Sequence, residues 1–245
     1  MRTLILCSVA LLLTLTAFGA PAKAPLRALI VTGGHGFERE PFFAIFDSFG
    51  GIEWREVVHP GANDSYAPDQ RGTYDVIVLY DMVQDISDAQ KANLIATLKQ
   101  GKGLVVLHHA LASYQAWPEY AQIIGGRFFL QPTQWEEKEW PTSTATHGLD
   151  LTIEIADSKH PITKGLDDFQ IHDETYGGFW VNPKAHPLLK VEHPTSGEVI
   201  GWTTQYGKSR VVYLELGHDH FAYDNPGYRT LIERSILWTA KRLKR

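Results

Sequence analysis

One cysteine, Cys7, is all the thiol in the 245 residues, and it stands inside an early apolar run from Leu4 to Leu15. Met1-Arg2 precede that run. Small residues through Ala24 follow it, with the triplet Ala20-Pro21-Ala22 among them, so residues 1–22 have the pattern of a secretory signal. The run is too short for a permanent membrane span, and Cys7 lacks the small residues that precede a lipidated cysteine. Removing this segment leaves a mature chain with no disulfide, no thiolate metal ligand and no cysteine nucleophile. An exported domain without disulfides must rely on its core, and residues 26–243 suffice for one domain of ordinary size.

Other absences narrow the function further. The net charge is −5 and basic residues are scattered, which argues against a nucleic-acid partner. No second apolar segment offers a membrane span once the signal is removed. The turn Thr32-Gly33-Gly34-His35-Gly36 lacks the G-x-G-x-x-G spacing of a dinucleotide fingerprint. No His-Glu-x-x-His pair occurs, so a divalent metal ion is permitted by the histidines rather than indicated. Internal repeats, low-complexity tracts and linkers are also missing. Chemistry in this chain must run on histidine and carboxylate groups.

What is present is an α/β pattern. Leu26 to Val31 (broken only by Arg27), Tyr74 to Tyr80 (broken only by Asp75) and Leu104 to Leu107 are largely apolar runs, as in strands buried on both faces of a parallel sheet, and Glu53 to Val58 reads as a further strand. Helices are expected from about Glu38 to Phe49, ended by Gly50-Gly51, and from Ser87, an N-cap, to Gly101. Leu151 to Ile155, Leu188 to Glu192, Val199 to Thr204 and Arg210 to Leu216 read as later strands, and Gly227 to Leu243 as a closing helix. Short connections between alternating strands and helices predict a doubly wound, mainly parallel sheet in a single domain. Ligands of such sheets collect at the carboxyl ends of the strands.

Most of the eleven histidines fall at those ends or in loops. His35 follows the first strand, Asp81 the third, His108-His109 the fourth and His218-Asp219-His220 the last, while His172-Asp173-Glu174 read as a loop. Asp81 could equally cap backbone. Neighbours on a regular strand face opposite sides, so one of His108 and His109 is expected in a pocket and the other against a helix. Asp173 and Glu174 could orient an imidazole, ligate a metal or act as general base. His59, His160, His186 and His193 adjoin prolines or turns and read as structural. Seven tryptophans and ten tyrosines are compatible with a carbohydrate ligand, since aromatic rings stack on sugar faces, although core packing explains them equally.

At these same segments the chain resembles the ThuA-like family, named for trehalose utilization. The resemblance runs from about Ala28 to Lys241. It is carried by VTGGHGF from Val31, LHHA from Leu107, WPEYAQIIGGRF from Trp117, HPITKGLDDF from His160, DETY from Asp173 and GHDHFAYDNPGY from Gly217. It implies the flavodoxin-like fold of the class I glutamine amidotransferases, in a bacterial envelope setting, periplasmic or extracellular. Those amidotransferases hold a nucleophilic cysteine at the elbow where this chain has His108, so thioester chemistry is excluded. Family members often carry a His-Pro pair where this chain has Gln131-Pro132.

The resemblance implies carbohydrate breakdown, with 3-keto glycosides as the expected substrates and a hydrolase, lyase or isomerase type of reaction. On that reading His108, Asp173 and Glu174 are the catalytic candidates, and His35, His109, Tyr176 and His218 the substrate-binding ones. A divalent metal ion, if present, would draw on His35, His108, Glu174 and His218. The competing expectations are a non-catalytic sugar-binding domain and an envelope interaction module on the same fold.

Overall fold

The computed structural model describes residues 24–243; the signal segment expected over residues 1–22, with Cys7, lies outside them. In chain order the elements are β1 (Leu26–Gly33), α1 (Arg39–Asp47), β2 (Ile52–Val58), β3 (Val76–Asp81), α2 (Asp88–Gln100), β4 (Gly103–Leu107), α3 (Pro118–Ile124), β5 (Gly126–Arg127), β6 (Thr133–Trp135), β7 (Lys138–Trp140) and β8 (Thr144–Ile155). Then come β9 (Phe169–Gly177), β10 (Trp180–Val181), β11 (His186–Val191), β12 (Val199–Tyr206), β13 (Ser209–Leu214), α4 (His220–Tyr223) and α5 (Pro226–Thr239).

Nine of the strands form one sheet in the order β2-β1-β3-β4-β13-β12-β11-β8-β9. From β2 to β13 neighbours run parallel, and from β13 to β9 every neighbouring pair is antiparallel. The sheet is therefore mixed, not mainly parallel throughout. The parallel half is made by the largely apolar runs: every residue of β3 and β4 is buried, which needs cover on both faces. One core packs α1 and α5 against Ile30, Val78, Val105 and Val212. The other packs α2 and α3 against Leu29, Ile77, Val106 and Val211. The antiparallel half includes β8, whose alternation of exposed and buried residues from Asp150 to Glu154 marks a strand with one solvated face.

Local signals set the helix ends. Ser87 and Gln90 form a reciprocal capping box on α2, and Gly101, at φ 97, ends it in the left-handed region. Asn225 caps α5, whose first residue is Pro226. The largest departure from the sequence reading concerns His172-Asp173-Glu174, which lie in β9 rather than in a loop. Their polarity masked a strand because the partners that satisfy them come from distant segments. Among the described residues no helix is long and apolar enough to cross a membrane.

His160, read as structural, shows why. Its Nδ1 accepts the Ile162 amide at 3.2 Å, and its ring packs 4.9 Å from Trp238 and 5.8 Å from His186. Burial, reinforced by His186 and Arg210 and opposed by Asp157, lowers its pKa to about 4. A histidine whose folded pKa lies below its unfolded value of roughly 6.5 favours the neutral state. Its stabilisation is thus complete above that pH, declines as pH falls from 6.5 to 4, and is gone below. Because the ring is half-buried, the contribution is about 1 kcal/mol after allowing for solvent screening. Urea unfolding at pH 7 and pH 4 should show a loss that is smaller by that amount in His160→Gln.

Candidate active site

The site begins at the end of β4. The chain turns directly into a 3-10 segment, His108–Ala112, and His108 takes φ 50, a left-handed conformation that costs a non-glycine residue of order 1 kcal/mol or more. That turn separates the tandem histidines. His108 Nδ1 lies 2.6 Å from the carbonyl of Glu215, just beyond β13. The carbonyl can only accept, so Nδ1 carries the proton and Nε2 faces away from it. Nε2 meets two groups of β9, the Tyr176 hydroxyl and a Glu174 oxygen, both at 3.0 Å. Glu174 and Tyr176 are two apart on a strand and so share a face, which is how both reach one imidazole.

Asp173, one residue away, points to the opposite face. Its carboxylate accepts the amides of Gly217 (2.8 Å), His218 (3.0 Å) and Glu174 (2.8 Å). Burial pushes its pKa up, against the pull of His108 and those amides. Asp173 thereby holds the segment after β13 against β9 and brings His218 over the sheet edge, where His218 Nδ1 lies 3.2 Å from Glu174.

A fourth member, His147, escaped the sequence reading. Along β8 and β9, Thr146 faces Thr175 and Leu149 faces Asp173, so His147 and Gly148 together oppose Glu174. This bulge, with Gly148 at φ 71, aims His147 Nδ1 to within 2.8 Å of the other Glu174 oxygen. The available signal was a His-Gly pair inside an otherwise strand-like run, since an isolated glycine in a strand marks a bulge.

Glu174 is thus a buried carboxylate among three imidazoles. Burial alone would raise its pKa, but the hydrogen bonds and charges of His108 and His218 outweigh it and hold the carboxyl well below its usual range. In return Glu174 raises His218, against partial burial. Glu215 and Tyr176, both fully buried, are pushed up by desolvation. The cluster opens to solvent through His147, 64% exposed, and His218, 27% exposed, whereas His108 is 1% exposed.

The remaining candidates lie to one side. His35 is exposed, bonds to the Gly36 carbonyl and stacks on His109 at 4.6 Å. His109 is buried beside Tyr80, and desolvation drives its pKa well down, so the ring is neutral. It touches His108 edge-on at 5.4 Å without joining the polar cluster. Asp81 bonds His59 at 3.1 Å in the interior. Of the four candidate metal ligands, His108, Glu174 and His218 have donor atoms all within 4.8 Å of one another, and His35 is outside that group.

Comparison with known proteins now bears on this arrangement. The sequence profile of the ThuA family, described as trehalose utilisation, matches residues 27–239. The chain belongs to the ThuA family. Two ThuA-like proteins of known structure are similar to it. The one from Parabacteroides merdae has a TM-score of 0.76 and 19% identity, over 90% of this chain and 92% of its own. The one from Bacteroides uniformis has a TM-score of 0.64 and 20% identity, over 90% and 95%. A β-galactosidase from Bacillus circulans is similar over 88% of this chain but 31% of its own, with a TM-score of 0.52 and 10% identity. At such identities the likeness shows the fold alone. A search of curated proteins finds no match.

Proposed function

We propose that this ThuA-family chain opens glycosidic bonds of 3-keto sugars by proton transfer, in the envelope setting that its N-terminal signal pattern suggests. The observation that carries the reading is Glu174, one carboxylate shared by an exposed imidazole on one oxygen and two further imidazoles on the other. A 3-keto glycoside has an acidified proton on C2. His147, oriented through Nδ1 by Glu174, takes that proton. The C1–O bond then breaks, its electron pair leaves on the aglycone oxygen, and that oxygen takes the proton His147 removed, which returns the base to its starting state. Water adds back across the C1–C2 double bond, with hydroxyl to C1 and the proton to C2. The negative charge that grows on the ketone oxygen meets the positive charge that Glu174 favours on His218.

Further support is positional. His108 occupies the tight turn after β4, at a positive φ, and we extend the reading to a fold relationship with the class I glutamine amidotransferases, which keep a thiol at such an elbow. Asp173 serves here as a positioning residue for His218, and Tyr176 for His108, so neither needs to touch the sugar. His35 lies within reach of the same sheet edge as a sugar contact.

The test offers purified protein 3-keto glucosides and the parent disaccharides, following release of the aglycone and exchange of the C2 proton for deuterium from the solvent. Turnover of the keto sugars with C2 exchange supports the reading. Binding without exchange or release sinks it in favour of a sugar-binding domain. His147→Ala is expected to lower exchange by about a hundredfold, as for loss of a general base.

A further inference from the structure

We infer that His108 Nε2, Glu174 and His218 Nδ1 form a binding site for one divalent transition-metal ion, of the Zn²⁺, Mn²⁺ or Fe²⁺ class. The inference deepens the proposed function, because the ion would be the positive charge on that side of Glu174, but the binding itself does not depend on any sugar chemistry.

Three observations converge on it. First, the orientation of the His108 ring is set. Its Nδ1–H is committed to the Glu215 carbonyl at 2.6 Å, so Nε2 is the nitrogen left to face the Glu174 oxygen 3.0 Å away, a spacing that a metal ion can bridge in place of a proton. Histidines that bind metals regularly donate their other N–H to a backbone carbonyl in this way, which fixes the ring and makes it a better ligand.

Second, the spacings suit a coordination shell. Metal–N and metal–O bonds are roughly 2.1 Å, so adjacent ligand atoms around a tetrahedral or octahedral ion lie about 3.0–3.4 Å apart. The Glu174 oxygen is 3.0 Å from His108 Nε2 and 3.2 Å from His218 Nδ1.

Third, the donor set is two imidazoles and one carboxylate from three different segments, with solvent access on the remaining side through His147 and His218. Three protein ligands with open positions characterise catalytic rather than structural metal sites, and nitrogen donors select first-row transition metals over Mg²⁺ and Ca²⁺. His147, 2.8 Å from the other Glu174 oxygen, orients the carboxylate. The Tyr176 hydroxyl now meets His108 Nε2. That nitrogen has one lone pair, so with an ion bound the hydroxyl turns to Glu174 or to an oxygen on the ion. When bound, the ion would polarise a sugar carbonyl or hydroxyl as a Lewis acid.

The experiment uses the full-length mature protein, stripped with chelator, dialysed and titrated separately with Zn²⁺ and Co²⁺. Metal content per chain, thermal unfolding and the visible spectrum of Co²⁺ are the readouts. The expected result is one ion per chain, a rise in melting temperature and absorption typical of Co²⁺ with nitrogen and oxygen ligands. His108→Ala, Glu174→Gln and His218→Ala should each weaken Co²⁺ binding by at least about a hundredfold, and His147→Ala by about tenfold. His220→Ala, whose histidine pairs with Glu38, should bind as the parent does. No ion taken up, or uptake unchanged in the His108 and Glu174 variants, overturns the site. Because some ligand variants could fold poorly, near-ultraviolet circular dichroism accompanies each, and a well-folded Glu174→Gln that still binds Co²⁺ overturns the site by itself. One bound ion without turnover of 3-keto sugars would leave this site standing and sink the sugar reading. Turnover by protein shown to hold no metal would do the reverse.

Discussion

Glu174→Gln is expected to lower turnover of a 3-keto glycoside by about a thousandfold while the protein keeps its fold. The substitution keeps the shape of the side chain and removes its charge. Both Glu174 oxygens now receive imidazole nitrogens, His147 at 2.8 Å on one, and His108 at 3.0 Å and His218 at 3.2 Å on the other. An amide has one accepting end and one donating end, so it cannot meet imidazole donors on both sides. His218, whose pKa is raised chiefly by its bond to Glu174, loses the charge that holds its proton, and His147 loses the acceptor that orients it. Base and electrophile then fail together, which places the loss in the middle of the range for general acid–base groups, on the order of 10³. Steady-state rates for the parent and variant, with near-ultraviolet circular dichroism to verify packing, provide the check. A loss below about tenfold in a folded variant would show that Glu174 is not at the centre of the chemistry.

The second large effect is on stability. Gly217→Ala should lower the melting temperature by about 10 °C. Gly217 has φ 119, a region L-residues avoid, and a Cβ there would lie 2.1 Å from the Tyr228 hydroxyl oxygen and 2.7 Å from its Cζ. Neither side can yield easily. Tyr228 is fully buried on α5, while the Gly217 amide is held by Asp173 at 2.8 Å and its carbonyl by the Tyr80 hydroxyl at 2.7 Å. Backbone strain of about 1–3 kcal/mol adds to overpacking of about 1–3 kcal/mol. A total near 3 kcal/mol corresponds to about 10 °C in a chain of this size. Gly50→Ala, with nothing within 4 Å of the new methyl and no positive φ, is the matched control and should melt close to the parent. Equal melting of the two variants would mean that the segment carrying His218 is not clamped as described.

Much of the parallel half could be read directly. Leu26 to Val31, Tyr74 to Tyr80 and Leu104 to Leu107 are apolar runs, broken only by Arg27 and Asp75, because both sheet faces cover them, and such runs announce themselves without any partner. The same holds for α2, whose Ser87, Gln90 and Gly101 are local signals acting within a few residues. His108 follows β4 directly and His218 lies four residues past the end of β13, so the recognisable runs before them put both near strand ends.

Beyond that, local pattern ran out. β9 reads as a polar loop because His172, Asp173 and Glu174 interrupt any apolar period, and their compatibility with a strand depends on partners far along the chain. The amides of Gly217 and His218 satisfy Asp173, and the imidazoles of His108 and His218 surround Glu174. The division of labour between those adjacent carboxylates follows from strand alternation, which sends one to each face, and that was invisible while the segment stood as a loop. His147 depends on a register shift between β8 and β9, a property of a pair of strands.

Composition, with Cys7 the single thiol, points this chain toward histidine and carboxylate chemistry, and hydrophobic continuity marks the parallel strands, because both are properties of one segment at a time. Which carboxylate faces the imidazoles, which histidine meets solvent and where a cation could sit were decided only by tertiary structure. Those are relations among β4, β8, β9 and the segment after β13, brought together by sheet pairing across long stretches of chain.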